Sequence, residues 1–499
     1  MTISDKSQET LTRRYQVMQE IGIDPLIEPW DHQVRGLKQA MPLDGFGFFY
    51  DVGTGKSLTS ILASRAKMAR DKTPYRVLVI TPLITLTNWQ NEWRKFSKID
   101  HSKIIMLKGT GKQRVEMVKK HFNSAQVFIA SYETVTMVPV MNELLKWAPG
   151  ITIVDEVHRC KNHKANRSIA TAVIAKRSKY RFVLTGTPIL KNPMDLFGIF
   201  LIMDGGETFG KNFYQFRGQY FYDKNVNMPS LKKFPDWRIT DAKSDEIKQK
   251  IRRSTATAIK SECLDLPPYV VKDIVFELEG DQLKVYRELE KDFIAYIEDK
   301  ACVATMALTK AIRLQQISSG YISLEDLEGN KHVRKFEHNP RKKILAELLG
   351  DIAPHHKVIV WAVFKENYSD IEEVCRELGL GWVGIHGEIP AAEKFRNVDK
   401  FNTDPDCRVL YGHPGSGGVG INLVVANHSI FYSRSFSLEN DLQAEARNYR
   451  GGSEVHSSIT RINLVAEKTI DELVAKRLAA KQSMSDKIIF DIAKELKRG

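Results

Sequence analysis

Short, unbroken apolar runs recur along the first two-fifths of the chain, several ending in Gly, Pro, Asp or Thr: "RVLVITP" (76–82), "AQVFIASY" (125–132), "ITIVDEVH" (151–158) and "YRFVLTGTP" (180–188). Runs this short and this rich in β-branched residues suit strands buried on both faces of a parallel sheet. Between them lie amphipathic stretches. In "SLTSILASRAKMAR" the spacing puts Leu58, Ile61, Leu62 and Ala69 on one helical face. Strand–helix alternation predicts a doubly wound α/β domain.

The alternation then stops. From about 205 to 265 the text is polar, charged and spotted with aromatics, and no sheet is predicted there. Pro267 and Pro268 in "LDLPPYVV" (264–271) stop any helix and mark a boundary. A second alternation follows, with runs at 357–364, 381–387, 407–413, 428–434 and 457–466, and the tail from Lys468 reads as helix. The expected organisation is a leading segment 1–29, a first lobe 30–265 and a second lobe 266–499 with its core at about 340–485. A chain of 499 residues exceeds one ordinary core, which agrees.

Composition narrows the function classes. No apolar run approaches the roughly 20 residues that cross a bilayer, and "MTISDKSQET" shows no secretory signal, so a cytoplasmic protein without a membrane partner is expected. The five cysteines are scattered without a CxxC pair, which argues against a disulfide scaffold. "CKNH" (160–163) lacks the second ligand pair of a zinc site. The net charge of +13 suits a polyanionic partner and does not identify one.

The chemistry begins at "FFYDVGTGKS" (48–57). An apolar run enters a turn with Gly53 and Gly55, then reaches Lys56 and Ser57 at a helix start. Backbone N–H groups at such a turn can approach phosphate oxygens, and the helix dipole favours them. Lys56 would reach the β and γ phosphates of a nucleotide, and Ser57 would give its hydroxyl to magnesium. Tyr50 stands where the strict phosphate-loop pattern has its first glycine; this fragment alone still favours a nucleotide site and leaves an ordinary glycine turn before a helix as the alternative. About a hundred residues on, "ITIVDEVH" ends in adjacent carboxylates. Asp155 can hold magnesium, and Glu156 can orient and deprotonate an attacking water. Together the two fragments predict a site that hydrolyses a nucleotide. In "LENDLQAEARNYRGG" (438–452), a continuous helix would put Gln443, Arg447 and Arg450 on one face, able to stabilise phosphoryl charge. Read alone, that is also an exposed basic helix.

These fragments resemble the Swi/Snf-type branch of superfamily two helicases and translocases, from about Trp30 to Ala466. "PWDHQVRGL" is similar to its adenine-sensing segment, which would give Gln33 that role. "YDVGTGKS" resembles motif I, "VLVITPLITLTNWQNEW" motif Ia, "VFIASYETV" motif Ib, "DEVHRCKN" motif II and "LTGTPILKNP" motif III. "VIVWAVF", "GSGGVGINL" and "QAEARNYRGG" resemble motifs IV, V and VI. Val157 departs from the usual Ala or Gly, and in "YSRSFSLEN" Phe436 stands in place of a Trp while Arg434 adds positive charge.

The resemblance implies two tandem RecA-like lobes with the ATP cleft between them, and ATP and Mg2+ as cofactors. Gln33, Gly53, Thr54, Gly55, Lys56, Ser57 and Gly420 would bind nucleotide. Ser57 and Asp155 would hold the metal. Lys56, Asp155, Glu156, Gln443, Arg447 and Arg450 would carry catalysis. His158, Thr185 and Thr187 would couple hydrolysis to movement. Thr81, Pro82, Asn88, Trp89, Ser131, Tyr132, Gly387, Ser416 and Asn422 would line a track along the DNA backbone, although an indole such as Trp89 is more often core. His386 reads as structural. The implied function is an ATP-dependent DNA translocase or helicase acting as a monomer on double-stranded or branched DNA, in a bacterial or phage-infected cell. The 205–265 stretch could supply a strand-separating hairpin. An RNA helicase fits the motif spellings less well. The alternative from another class is an ATP-gated clamp that grips nucleic acid and regulates a partner.

Overall fold

The computed structural model describes residues 16–480, except 25, 27, 187–192, 226–234, 264, 299–303, 326–330 and 416–420. The chain divides into two compact units, Met1–Leu264 and Asp265–Gly499.

The first unit is built on a seven-stranded sheet with strands β1 (Gly45–Tyr50), β2 (Val77–Thr81), β3 (Ile104–Met106), β4 (Val127–Ser131), β5 (Ile151–Val154), β6 (Tyr180–Leu184) and, beyond a short antiparallel pair β7 (Tyr222–Asp223) and β8 (Trp237–Arg238), β9 (Thr255–Ala258). Its order is β3-β4-β2-β5-β6-β1-β9, and every pairing is parallel. Both faces are covered, which is why the central strands are buried along their length and mostly apolar. Leu78, Ile80, Phe128 and Ala130 pack into one core, while Val77, Val79, Val127 and Ile129 pack into the other. A parallel sheet brings all its carboxyl ends to one edge. There Thr81 pairs with Ser131, and the Asp155 N–H extends the ladder to Ile80 O at 2.8 Å.

The second unit continues with β10 (Tyr269–Phe276), an antiparallel hairpin β11 (Tyr321–Glu325) and β12 (Lys331–Lys335), then β13 (Val358–Trp361), β14 (Gly381–Ile385), β15 (Cys407–Gly412), β16 (His428–Phe431) and β17 (Ile459–Ala466). Its six-stranded sheet runs β10-β17-β16-β13-β15-β14, again parallel throughout. Val358 and Val360 face one core, and Ile359 and Trp361 the other. Beneath it, buried Arg341 pairs with Asp471 and donates to Ser318 O and Leu464 O at 3.1 and 3.0 Å.

Four features differ from the sequence expectation. The 205–265 stretch does supply a strand, since β9 pairs with β1 beyond helices Phe213–Tyr220 and Asp241–Arg252. Its "TATA" text carries no large apolar residue, so the burial pattern was invisible. The two-proline segment leads directly into edge strand β10. Ala69 is exposed, while Leu58, Ile61 and Leu62 are buried with Ala63 and Ala66. β7 and β8 form the one antiparallel pair described in 205–265, and residues 226–234 between them lie outside the described residues. No described helix is long and apolar enough to cross a membrane.

His428 at the start of β16 lies with its ring 4.9 Å from that of His356, and its Nδ1 is 2.9 Å from Asn427 Oδ1. Burial first, then the charges of His356, Lys272 and His456, push its pKa down to about 4. The unfolded chain therefore takes up this proton first, so its contribution to stability is complete above about 6.5 and is lost as pH falls toward about 4. The thermal midpoint should fall between pH 7.5 and pH 5, and His428→Asn should reduce that fall. An unchanged pH dependence in the variant would remove His428 as its source.

Candidate nucleotide site

Strand β1 delivers the chain into the loop 51–55, and helix Lys56–Asp71 begins with Gly55 as its N-cap at φ 80°. Gly53 is also left-handed, at φ 89°. Both conformations favour glycine, and Gly55 has a second reason. A Cβ there would lie 2.1 Å from Gln33 Nε2. No side chain caps this helix start. Its N–H groups and dipole suit an anion.

A layer of side chains holds the loop from below. Gln33 Nε2 donates to Gly55 O at 3.3 Å and Thr54 O at 3.4 Å, while Gln33 Oε1 accepts from Trp30 N at 2.8 Å. The amide expected to sense adenine is thus engaged with the phosphate loop itself. His32 Nε2 lies 2.8 Å from Thr54 O, and Tyr50 OH donates to His32 O at 3.1 Å. Sequence reasoning assigned His32 no role and marked Tyr50 only as a departure from the strict loop pattern, although His32 lies within "PWDHQVRGL" and Tyr50 within "YDVGTGKS". Thr54 is buried, and its hydroxyl donates to Asp51 O at 2.7 Å. Lys56 Nζ donates to Tyr50 O at 3.0 Å and Asp51 O at 3.3 Å. A Cβ at Gly186 would come within 2.9 Å of that ammonium.

The carboxylates follow β5. Asp155 and Glu156 are both buried, 4% and 3% exposed. Asp155 Oδ2 accepts from Trp89 Nε1 at 2.9 Å and Thr81 Oγ1 at 3.0 Å, and its Oδ1 accepts from Glu156 N at 3.0 Å. Burial, and then the charge of Glu156, raises the Asp155 pKa, against the opposing pull of Trp89, Lys56 and Thr81. The influence of Lys56 brings the two sequence fragments into one electrostatic site. Glu156 has φ 50°, an uncommon conformation for a residue with a side chain. Tyr132 OH steadies it, donating to Asp155 O at 2.6 Å with Glu156 O at 3.3 Å. His158 Nδ1 lies 3.3 Å from both Glu156 Oε2 and Thr185 Oγ1, so the structure brings these three together. Thr187 lies outside the described residues.

The donors fit magnesium. Asp155 and Ser57 supply hard oxygen, which suits a small cation that takes its other ligands from water and phosphate. A buried carboxylate with a raised pKa gains most from a neighbouring cation. Among the described residues no group of three or more His, Cys, Asp and Glu could hold a metal, "CKNH" included.

Two expectations are corrected. Thr81, Trp89, Ser131 and Tyr132, expected along a DNA track, are 0–1% exposed. Thr81, Trp89 and Tyr132 bond inward to Asp155, and Ser131 caps helix Tyr132–Thr136 through Thr134 N. Their side chains support the carboxylates and do not form a surface. Of the other track candidates, Pro82 is buried, Asn88 half-buried, and Gly387 and Asn422 exposed. Ser416 and Gly420 lie outside the described residues.

The second correction concerns motif VI. Helix Leu438–Glu445 ends before either arginine, with Ala446 at φ −74° and ψ 6°. Beyond that end only turn bonds continue, Arg447 N to Ala444 O at 3.2 Å and Tyr449 N to Glu445 O at 3.1 Å, while Asn448 Nδ2 donates to Ala426 O at 3.2 Å and Tyr449 stacks on Tyr269 at 4.5 Å. Gln443, Arg447 and Arg450 therefore do not share one helical face. Gln443 Nε2 donates to Glu439 Oε1 at 3.1 Å, Arg447 is buried, and Arg450 is half-exposed. Arg434 binds Asp441 at 3.1 Å beside Arg461, and Phe436 packs against Leu438, Val474 and Leu478. His386 stacks on Tyr368 at 4.6 Å.

Comparisons with known proteins add an independent line. The SNF2-related domain matches residues 34–325, and the helicase conserved C-terminal domain matches residues 340–452. An ATP-dependent helicase of Mycoplasma genitalium is 25% identical over 92% of this chain and 42% of its own length. The chromatin structure-remodelling complex subunit snf21 of Schizosaccharomyces pombe is 25% identical over 92% of this chain and 39% of its own. A RAD54-like DNA repair and recombination protein of Drosophila pseudoobscura pseudoobscura is 26% identical over 88% of this chain and 60% of its own. The chain spans less than two thirds of the length of each of these relatives. The SWI2/SNF2 ATPase core of Sulfolobus solfataricus, solved with double-stranded DNA, aligns with a TM-score of 0.43 at 22% identity, covering 95% of this chain and 96% of that one. On the family match, which takes in more than half of its residues, this chain belongs to the SNF2-related family.

Proposed function

We propose that the chain is an ATP-dependent DNA translocase or helicase. The observation that carries the reading is the buried Asp155–Glu156 pair, set at the carboxyl edge of a parallel sheet within the electrostatic reach of Lys56 and its glycine loop. The family supports ATP use, and the named relatives act in DNA repair, chromatin remodelling or ATP-dependent helicase activity.

In this reading the loop N–H groups and Lys56 bind the nucleotide phosphates. Ser57 and Asp155 hold magnesium, which supplies charge neutralisation at the transferred phosphoryl group. Glu156 orients the attacking water and takes its proton. His158 is placed to carry the change at Glu156 to Thr185, 3.3 Å from each. Arg447 and Arg450 of the second unit complete charge stabilisation, and ATP-dependent association of the two units drives movement. In this reading the protein works in the cytoplasm, and as a monomer, since one chain supplies both halves of the ATP cleft.

Lys56→Ala, Glu156→Gln and Arg450→Ala should each lower ATP turnover by about 100-fold or more, with Glu156→Gln sparing ATP binding. Normal turnover in Arg450→Ala would remove the second unit from the reaction. Gly55→Ala should abolish nucleotide binding measured by fluorescence anisotropy, because the added Cβ meets Gln33 in a left-handed conformation. Steady-state hydrolysis with no nucleic acid, single-stranded DNA, duplex DNA, a branched junction and RNA tests the function. Stimulation by one DNA form supports the motor, and a rate indifferent to all of them supports the ATP-gated clamp.

A further inference from the structure

Asp155 is held by groups that come from segments otherwise remote from the phosphate loop. Trp89 lies on helix Leu86–Phe96 after β2, and Tyr132 opens helix Tyr132–Thr136 after β4. Each sends one buried ring-borne donor to the motif II turn. The indole bond is not a general consequence of burying tryptophan. Trp93, Trp147 and Trp361 are equally buried, and none has a hydrogen-bond partner for its Nε1 among the described residues. Trp93 even shares the helix of Trp89.

The bonds also decide which oxygen faces a cation. A carboxylate oxygen has two lone-pair sites. Those of Asp155 Oδ2 are taken by Trp89 Nε1 and Thr81 Oγ1, and one of Oδ1 by Glu156 N. The remaining site is on Oδ1. Thr81 Oγ1 is in turn 2.5 Å from Thr85 Oγ1, so the turn after β2 reaches the same carboxylate by a second route. At the neighbouring residue, the Tyr132 hydroxyl fixes the carbonyl side of the left-handed Glu156.

We propose that Trp89 and Tyr132 are positioning residues that present Asp155 Oδ1 to the metal and lock the Glu156 backbone, so that displacement of the segments after β2 or β4 is transmitted to the hydrolytic carboxylates. This rests on the ATPase reading above. It assigns those segments an internal function toward the nucleotide, whatever they touch outside. A polymer bound against the outer surface of either helix would act on hydrolysis through these two rings.

The test is magnesium-dependent binding of a fluorescent non-hydrolysable ATP analogue by the full chain, with Trp89→Phe, Tyr132→Phe and, as a packing control, Trp93→Phe. Trp89→Phe keeps the ring and removes the donor. Half-saturating magnesium should rise about tenfold in Trp89→Phe, while binding of the analogue in EDTA and the unfolding midpoint stay near wild type. Trp93→Phe should match wild type in magnesium dependence. Thr81→Val removes the second donor to Oδ2 and should shift the same way, which keeps the test decisive if Trp89→Phe folds poorly. Tyr132→Phe should lower kcat about tenfold at unchanged KM and reduce the ratio of DNA-stimulated to basal turnover. Magnesium dependence within twofold of wild type in both Trp89→Phe and Thr81→Val would overturn the proposal, as would an equal shift in Trp93→Phe. Should wild type bind the analogue with magnesium but ignore DNA, the motor reading fails and the magnesium readout still decides this one.

Discussion

The burial of the Asp155 carboxylate is the constraint on which the first unit is organised. A carboxylate out of water is costly unless hydrogen bonds and a cation offset the lost hydration. Here three donors meet it: Thr81 at the end of β2, Trp89 on the helix that follows β2, and the N–H of its own neighbour Glu156. That demand explains why Thr81 and Trp89 are where they are, while Tyr132 holds the backbone carbonyls of the same turn. It also explains why the turn can hold Glu156 in a left-handed conformation. The hydrogen bonds leave one oxygen position of Asp155 for a metal. Structure and chemistry are thus fixed by the same contacts.

Parallel sheets make such convergence possible. Because every strand in each of the two large sheets runs the same way, residues far apart in sequence reach one edge. Asp51, Thr81, Ser131, Asp155 and Thr185 all stand at or just beyond the carboxyl ends of their strands. Two cores on opposite faces pack the strands closely, and dense interiors of this kind transmit strain. The second unit repeats the plan with its own ion network, in which Asp441 binds Arg434 and Arg461. Arg434, which departs from the family spelling, is paired within the fold.

The phosphate loop, the carboxylates and most strands were legible in the sequence because each rests on local signals. Glycines at left-handed positions, a Lys-Ser pair at a helix start and acidic residues at a strand tip are written in consecutive residues. What was not legible depends on tertiary contact. β9 is a strand because β1 offers it a partner, and its threonines and alanines gave no burial pattern. Trp89 looked like core or track, and only the structure shows its N–H on Asp155. Helical periodicity suggested one face for Gln443, Arg447 and Arg450, but the helix ends at Glu445, where the Ala446 backbone leaves helical geometry, and Asn448 and Tyr449 make tertiary contacts of their own. Gln33 was marked by its motif, while its grip on the loop carbonyls could not be read from spacing.

In the proposed function Asp155 is the group that joins metal and nucleotide. The most direct measurement is the thermal unfolding midpoint of the wild type and of Asp155→Asn with ADP, each with and without magnesium. ADP alone should stabilise both proteins alike, through the glycine loop and Lys56. Magnesium should add a further increase in the wild type and none in Asp155→Asn. An equal magnesium-dependent increase in the two proteins would contradict the claim, and would place the cation on other residues.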